Sequence, residues 1–193
     1  AQATPSLSIL VEAVVAADLA ATLSTGTLTV FAPTNAAFAA LLTELGVSKE
    51  ALLANKPLLT AVLTYHVLGS TVARADVPLG KAITPVSGGF FKIESNNGLK
   101  ITDGRNRVST ITATDIQASN GVVHLVDRVL LPADKDIVAT ASALPDFSIL
   151  VEAVVAAGLA STLQGTGPFT VFAPTNAAFA ALLAELGVSK ADL

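Results

Sequence analysis

Thr29–Lys49 reads TVFAPTNAAFAALLTELGVSK, and the stretch returns at Thr170–Lys190 as TVFAPTNAAFAALLAELGVSK, with one substitution. The identity extends upstream, because SILVEAVVAADLA from Ser8 is repeated as SILVEAVVAAGLA from Ser148. The two copies are about 140 residues apart, which is the length of a whole domain and too long for a solenoid unit. The sequence therefore predicts one domain followed by the opening part of another.

The repeat sets the expected domain organisation. Residues 1–140 are predicted to form a complete domain with its C-terminal connector, and residues 141–193 the N-terminal helical part of a second, incomplete domain. A unit of the first size buries about two thirds of its unfolded surface, whereas the second is too short to bury the apolar faces that it carries. We expect the polypeptide to continue beyond Leu193; the alternative is that neighbouring chains cover the fragment.

The composition is apolar and poor in charge. Apolar residues make up 52% of the chain and charged residues 13%, against roughly a quarter charged in an ordinary soluble domain. We favour an alanine-rich core as the explanation; the alternative is a surface with too few charges to keep neighbouring molecules apart. No membrane span is predicted, because acidic residues interrupt the apolar stretches before they reach about 18 residues.

The first part of each copy is predicted to be helical. Pro5–Leu23 is predicted to be one long helix capped by Ser6, with Asp146 as the cap in the second copy. After a strand at Leu28–Phe31, a second helix presents one apolar face and ends at Gly46, and two further helices begin at Ser48 and Pro57. In the second copy the apolar face of the second helix consists of Phe179, Leu182, Leu183 and Leu186.

The periodicity changes to that of strands after Gly69. Turn signals separate four predicted strands: Phe90–Glu94, Leu99–Thr102, Val108–Ala113 and Val122–Val126. Helices followed by a hairpin-rich sheet predict an α+β fold.

Candidate chemical sites are few. The two histidines, His66 and His124, lie in an apolar helix and a strand and lack the sequence context of a catalytic triad, so we interpret them as hydrogen-bonded structural residues. No metal or cofactor site is predicted; the chain has no cysteine, which excludes disulfides and thiolate metal sites. A net charge of −4 without a dense basic stripe argues against nucleic acid. A looser group of basic residues is interpreted as part of a solvated sheet face, with a glycan or anion contact as the alternative: Arg74, Lys92, Arg105 and Arg107.

Three landmarks together resemble the fasciclin domain family. TVFAPTNAAF at Thr29–Phe38 resembles the first signature of the family, Tyr65-His66 its central Tyr-His pair, and NGVVHLVDRVLLP at Asn120–Pro132 its second signature. The first signature recurs at Thr170–Phe179, as in a tandem fasciclin protein. The matching residues that carry these signatures are Thr34, Asn35, Tyr65, His66, Asn120, Gly121, His124 and Asp127.

The resemblance implies a wedge-shaped β-sandwich of two sheets packed with several α-helices. It implies that Asn35 caps the helix after the signature strand and that His66 ties the helical region to the sheet by hydrogen bonds. It also implies non-enzymatic adhesion outside the cell.

The leading functional hypothesis is a secreted adhesion or biofilm-matrix protein that associates with copies of itself, into filaments or arrays. Its partners would be other copies, an extracellular polysaccharide or a cell-surface protein. The alternative is a carbohydrate- or small-ligand-binding module that uses the basic residues, and an enzyme ranks third.

Overall fold

The computed structural model of the chain describes residues 4–190. Its contacts divide the chain into two units, 1–133 and 134–193. The first unit contains all seven described strands: β1 (Leu28–Pro33), β2 (Val67–Leu68), β3 (Ala82–Ile83), β4 (Phe91–Ser95), β5 (Leu99–Thr102), β6 (Val108–Ala118) and β7 (Gly121–Val126). Its helices are α1 (Ser8–Ala16), α2 (Asn35–Leu45), α3 (Lys49–Ala54) and α4 (Lys56–Tyr65). The predicted α+β architecture is confirmed.

The strands form one sheet in the order β2-β1-β7-β6-β5-β4-β3. The β1–β7 pair is parallel and the other pairs are antiparallel. The predicted strand Val108–Ala113 continues to Ala118, and this longer β6 carries register shifts between Ile111 and Ala113 and again before Ile116. Such bulges bend a strand, so β6 belongs to both halves of the sheet.

The sheet curls so that its two halves face each other. Phe31 lies on β1 and Phe91 on β4, and three strands separate these two in the sheet order. A flat sheet would hold β1 and β4 about 19 Å apart, yet the ring centroids are 5.3 Å apart in an edge-to-face contact. The predicted pair of facing sheets is thus one continuous sheet folded over a shared core.

Two hydrophobic clusters fill the first unit. The first lies between the helices and the sheet and includes Leu10, Phe38 and Leu59, while the second lies inside the curled sheet around Phe31 and Phe91. The apolar face of α2 therefore fixes the helical layer, and the alternating inward residues of the strands fix the inner core.

The first predicted helix is shorter than expected. Pro5–Leu7 is a 3₁₀ turn, α1 ends at Ala16, and Asp18 then adopts a left-handed conformation with φ 57°. The prediction of one helix to Leu23, capped by Ser6, is wrong because the apolar run continues through a turn that ends the helix. In the second copy Gly158 takes the place of Asp18, with φ 68°.

The second unit repeats α1 and α2 of the first unit and has two further short helices. It contains α5 (Ile137–Ser142), α6 (Ser148–Ala156), α7 (Ala160–Leu163) and α8 (Asn176–Leu186). The polar side chain of Asp136 accepts from the amide of Ala139 at 2.7 Å and caps α5, so part of the predicted connector is helical. The stretch 169–174, which corresponds to β1, forms no strand among the described residues.

Candidate functional site

His66 is enclosed at the end of α4, and both of its ring nitrogens are bonded. Nε2 accepts a hydrogen bond from the amide of Leu130 at 2.8 Å, so Nδ1 carries the proton and donates to the carbonyl of Val62 at 2.7 Å. The peptide carbonyl of His66 accepts from the amide of Phe31 at 2.9 Å. Burial lowers the pKa of His66 to about 4. The residue links α4, β1 and the segment that follows β7.

His124 on β7 is the opposite tautomer, with its proton on Nε2. Its Nδ1 accepts from the amide of Asp115 at 3.3 Å, and its Nε2 donates to the carbonyl of Val72 at 2.9 Å. Both histidines are about 1% exposed. All of their ring nitrogens are hydrogen-bonded to backbone groups. Neither ring offers the accessible nitrogen that a general base requires.

Tyr65 is buried where the helical layer meets the inner core. Its Oη donates to the carbonyl of Phe90 at 2.6 Å, and its ring meets Phe91 edge-on at 5.8 Å. Burial raises the pKa of Tyr65 to about 12. A Cβ added to Gly104 would stand 3.1 Å from the Tyr65 Oη and would overlap the amide of Ala133. The hydroxyl therefore has a structural partner and no access to solvent.

The two polar residues after β1 have different roles. Thr34 caps α2, because its Oγ1 accepts from the amide of Ala37 at 3.3 Å. The prediction that Asn35 caps this helix is wrong. Its Oδ1 accepts from the amide of Ile9 at 3.0 Å and its Nδ2 donates to the carbonyl of Pro5 at 3.1 Å, so its side chain ties the start of α1 to α2.

The second signature stretch holds β7 against its neighbours. The carbonyl of Asn120 accepts from the amide of Leu28 at 3.0 Å. Gly121 has φ 151°, and an added Cβ would overlap the carbonyl of Leu28. At the other end of β7, Asp127 Oδ1 accepts from the amide of Thr110 at 2.7 Å. These residues fix the position of β7 between β1 and β6.

A buried ion pair was not predicted from the sequence. The side chain of Asp103 is 1% exposed and accepts from Arg107 Nη2 at 2.7 Å and Nε at 3.0 Å. It also accepts from the amide of Leu131 at 3.0 Å. Arg107 donates further to both carboxylate oxygens of Glu44, at 2.9 and 3.0 Å, and to the carbonyl of Val129 at 2.7 Å. All three guanidinium nitrogens are thereby bonded to groups of the protein.

The four predicted glycan or anion contacts lie on different elements: Arg74 in a 3₁₀ turn, Lys92 on β4, Arg105 in the turn after β5 and Arg107 before β6. Arg107 makes its hydrogen bonds to Asp103, Glu44 and Val129 within the protein, and the glycan or anion contact stays a prediction. Lys92 Nζ lies 2.9 Å from Glu94 Oε1, which offsets its charge. Arg105 Nε donates to the carbonyl of Pro132 at 3.3 Å. This distribution does not favour a shared basic face.

The second unit exposes side chains whose counterparts are buried in the first. Phe172 is 93% exposed, whereas its counterpart Phe31 is 1% exposed. Leu182 is 39% exposed against 3% for Leu41. The predicted self-association residues lie along α8, with Leu182 and Leu186 exposed and the other two half-buried: Phe179, Leu182, Leu183 and Leu186. These four side chains make up what we call the α8 face, and the exposed Phe172 lies outside it, on the stretch 169–174.

The described residues contain neither a metal-binding cluster nor a membrane-spanning helix. Between residues 4 and 190, no cluster of three acidic or histidine side chains is arranged to hold a metal ion. In the same part of the chain, every helix is too short or too polar to cross a bilayer.

Known proteins share both the sequence pattern and the fold. A family model described as the fasciclin domain matches residues 5–132 and 145–191. Protein sll1483 from Synechocystis is 42% identical over 131 residues, which cover 66% of this chain and 68% of that protein. Human periostin is 33% identical over 155 residues, or 80% of this chain and 18% of periostin. The pig transforming growth factor-beta-induced protein ig-h3 is 32% identical, and the match covers 83% of this chain and 23% of that protein.

A solved structure supports the fold alone. The FAS1 domain pair from the insect cell adhesion molecule fasciclin I superposes with a TM-score of 0.51 at 18% identity. The match covers 93% of this chain and 64% of the insect chain.

Proposed function

This chain belongs to the fasciclin domain family, and from that membership we propose that it is a non-enzymatic extracellular adhesion or matrix protein that associates with copies of itself. The insect structural neighbour is a cell adhesion molecule by name. The chain spans only 23% and 18% of the two animal relatives, so their whole-protein activities are not transferred to it.

Family membership carries the adhesion part of the proposal, and the exposed α8 face together with Phe172 supports self-association. Phe172 at 93% and Leu186 at 56% exposure are large apolar side chains on one repeated sequence segment. Contiguous exposed apolar surface marks interaction sites in folded proteins. Few charges oppose close approach, since charged residues make up 13% of the chain. Burying this face against another molecule provides the driving force for association.

The buried histidines support the non-enzymatic part of the proposal. The four ring nitrogens of His66 and His124 are hydrogen-bonded to four backbone groups. We therefore propose that the functional surface consists of exposed apolar side chains and not of a reaction centre. Extracellular placement and a matrix role, with polysaccharide or cell-surface protein as further partners, belong to the same proposal.

Sedimentation of the purified chain over a range of concentrations tests self-association. We expect the mean mass to rise with concentration, and the double variant Leu182→Lys/Leu186→Lys to shift the rise at least about tenfold higher in concentration. The matched control is Val86→Lys/Phe90→Lys, which charges two exposed apolar positions of the first unit, 54% and 65% exposed. A chain that stays monomeric throughout, or an equal effect of both double variants, contradicts the proposal. Electron microscopy of the associated material distinguishes ordered filaments or arrays from irregular clusters.

A further inference from the structure

A pocket with a volume of about 250 Å³ opens in the first unit among α1, β1, β7 and the end of α4. Aliphatic side chains form most of its lining, among them Leu10, Val14, Val30, Leu63 and Val123. Val15 and Ser24 are exposed at its rim. We propose that this pocket binds the hydrocarbon chain of a free, uncharged lipid such as a long-chain alcohol. The proposal concerns the first unit alone and is independent of self-association.

The helix that forms one wall of the pocket is apolar on almost every side. Ser8–Ala16 reads SILVEAVVA, with two polar residues. A helix that is hydrophobic all round is normally buried, yet only Leu10 and Ala13 of α1 are buried, and Val15 is 61% exposed. A chain bound in the pocket would cover apolar surface of α1 that the protein itself leaves open.

The sheet is also incompletely covered at this place. β1 and β7 are inner strands, and Val30 is in register with Val123 across their pair. Both valine side chains line the pocket and are half-buried. Phe31, which points to the opposite face of β1, is 1% exposed. The helical layer therefore leaves room above the two valines.

The lining is suited to a group without charge. Among the described residues that line the pocket, none is Asp, Glu, Lys or Arg. His66 can ionise, but both of its ring nitrogens are hydrogen-bonded to backbone groups. A charged group placed in the pocket would lose its hydration without gaining a partner. The part of the ligand inside the pocket is therefore a hydrocarbon chain.

The rim favours a hydroxyl head group over a carboxylate. Ser24 Oγ donates to the carbonyl of Ala20 at 2.7 Å, and its lone pairs can still accept a hydrogen bond. A hydroxyl can donate to this oxygen, whereas a carboxylate cannot. The lining also contains no cation that would attract a carboxylate among the described residues.

Hydrogen bonds hold the walls of the pocket in place. Asn120 Nδ2 donates to the carbonyl of Leu23 at 2.9 Å and joins the turn at the rim to the start of β7. At the end of α4, His66 is bonded to the amide of Leu130 at 2.8 Å. Walls that are already fixed lower the ordering cost of binding.

The volume of the pocket sets the length of chain that it can hold. An apolar cavity of about 150 Å³ stays dry and binds benzene. By proportion, a pocket of about 250 Å³ holds a chain on the order of ten carbons. The remainder of a longer chain would extend past the rim into solvent.

A series of primary alcohols from hexanol to tetradecanol tests the proposal on the whole chain. Each alcohol displaces the fluorescent probe N-phenyl-1-naphthylamine, whose signal is free of tryptophan emission because the chain has no tryptophan. The protein is used at a concentration at which sedimentation shows a monomer. We expect the affinity to rise about threefold to fourfold with each methylene and to level off at about ten carbons.

Two variants and a matched control locate the binding site. Val15→Asp charges the rim and is expected to weaken binding at least about tenfold. Val108→Asp charges a valine on β6 that is 51% exposed and does not line the pocket, and it is expected to leave binding unchanged.

Val123→Phe fills part of the pocket, because phenylalanine has about four more side-chain carbons than valine. The levelling point is expected to move to alcohols about four carbons shorter, an effect that a loss of stability alone would not produce. Circular dichroism checks that the variant is folded. If it is not, Val11→Phe replaces it, since Val11 is a half-buried lining residue on α1.

Three outcomes overturn the proposal. The first is no displacement of the probe, or an affinity that rises evenly along the series without levelling. The second is an equal effect of Val15→Asp and Val108→Asp, which would show adsorption to exposed apolar surface in general. The third is binding to phosphatidylcholine vesicles without binding of free alcohols, which would show a membrane contact instead. None of these outcomes changes the sedimentation test of self-association.

Discussion

The Nε2 atom of His66 lies 2.8 Å from the amide nitrogen of Leu130, and this hydrogen bond exists only while that ring nitrogen is unprotonated. A proton on Nε2 would place two donors against each other. The bond joins the end of α4 to the segment after β7, so the protonation state of one ring controls a contact between distant parts of the first unit.

Acid is expected to destabilise the first unit through His66. The ring has a pKa of about 4 in the folded protein against 6.5 for an unperturbed histidine, so the unfolded chain binds the proton first as pH falls. The stability is complete above about pH 6.5 and declines toward pH 4, by about 3 kcal/mol for this group. Urea unfolding at pH 7.5 and pH 4.5 measures the difference.

The His66→Gln variant is the control for that experiment. It removes the titrating ring, so it is expected to be less stable at neutral pH but to lose less on acidification than the wild type. Equal losses in the two proteins would show that other groups cause the acid sensitivity.

Arg107→Met is expected to cost about 3–5 kcal/mol of unfolding free energy, because it leaves the buried Asp103 carboxylate without its charged partner. Glu44→Gln is the matched control at the exposed end of the same network. Its side chain is 38% exposed, and the loss is expected to stay below about 1 kcal/mol. Urea unfolding of both variants gives the comparison, and similar costs for the two would contradict a dominant Asp103–Arg107 pair.

Gly121→Ala is expected to destabilise the first unit by about 1–3 kcal/mol or to prevent its folding. The new Cβ would overlap the carbonyl of Leu28 across the β1–β7 pair. Gly69→Ala is the control, since no atom lies within 4 Å of a Cβ at that position. Thermal unfolding by circular dichroism compares them, and a Gly121→Ala protein as stable as Gly69→Ala would refute the close approach.

Asp18→Gly is expected to stabilise the first unit by about 0.5–1 kcal/mol. Asp18 has φ 57°, a region in which glycine carries no Cβ penalty. The ion pair lost with Lys56 has side chains 60% and 78% exposed, so it contributes little. Asp18→Ala should instead lower the melting temperature, and a gain from alanine would argue against the backbone explanation.

Local patterns in the sequence correctly predicted those elements whose boundaries are set by residues close to them along the chain. The apolar spacing of α2, its end at Gly46 and the strand Leu99–Thr102 agree with the structure. The break at Asp18 was missed because apolar residues continue on both sides of it. Hydrophobic periodicity reports which residues are apolar and does not report a single left-handed residue within the run.

Such local patterns could not predict the long-range polar contacts. The sequence shows Asp103 and Arg107 as ordinary charges around a turn, and only the folded chain brings them against Val129 and Leu131. Asn35 was misjudged for the same reason, because its partner Ile9 lies on another helix. Motif position identified these signature residues, but their bonds depend on tertiary packing.

The parallel pairing of β1 with β7 has a mechanical consequence. Six register pairs join these strands, from Leu28 with Gly121 to Pro33 with Val126. Tension applied to the amino end of β1 and the carboxyl end of β7 would pull the strands along their own axes in opposite directions. The hydrogen bonds of this pair would then bear the load together, whereas an antiparallel hairpin pulled at its open end separates one pair at a time. A protein that holds surfaces together under flow would gain resistance to rupture from this arrangement.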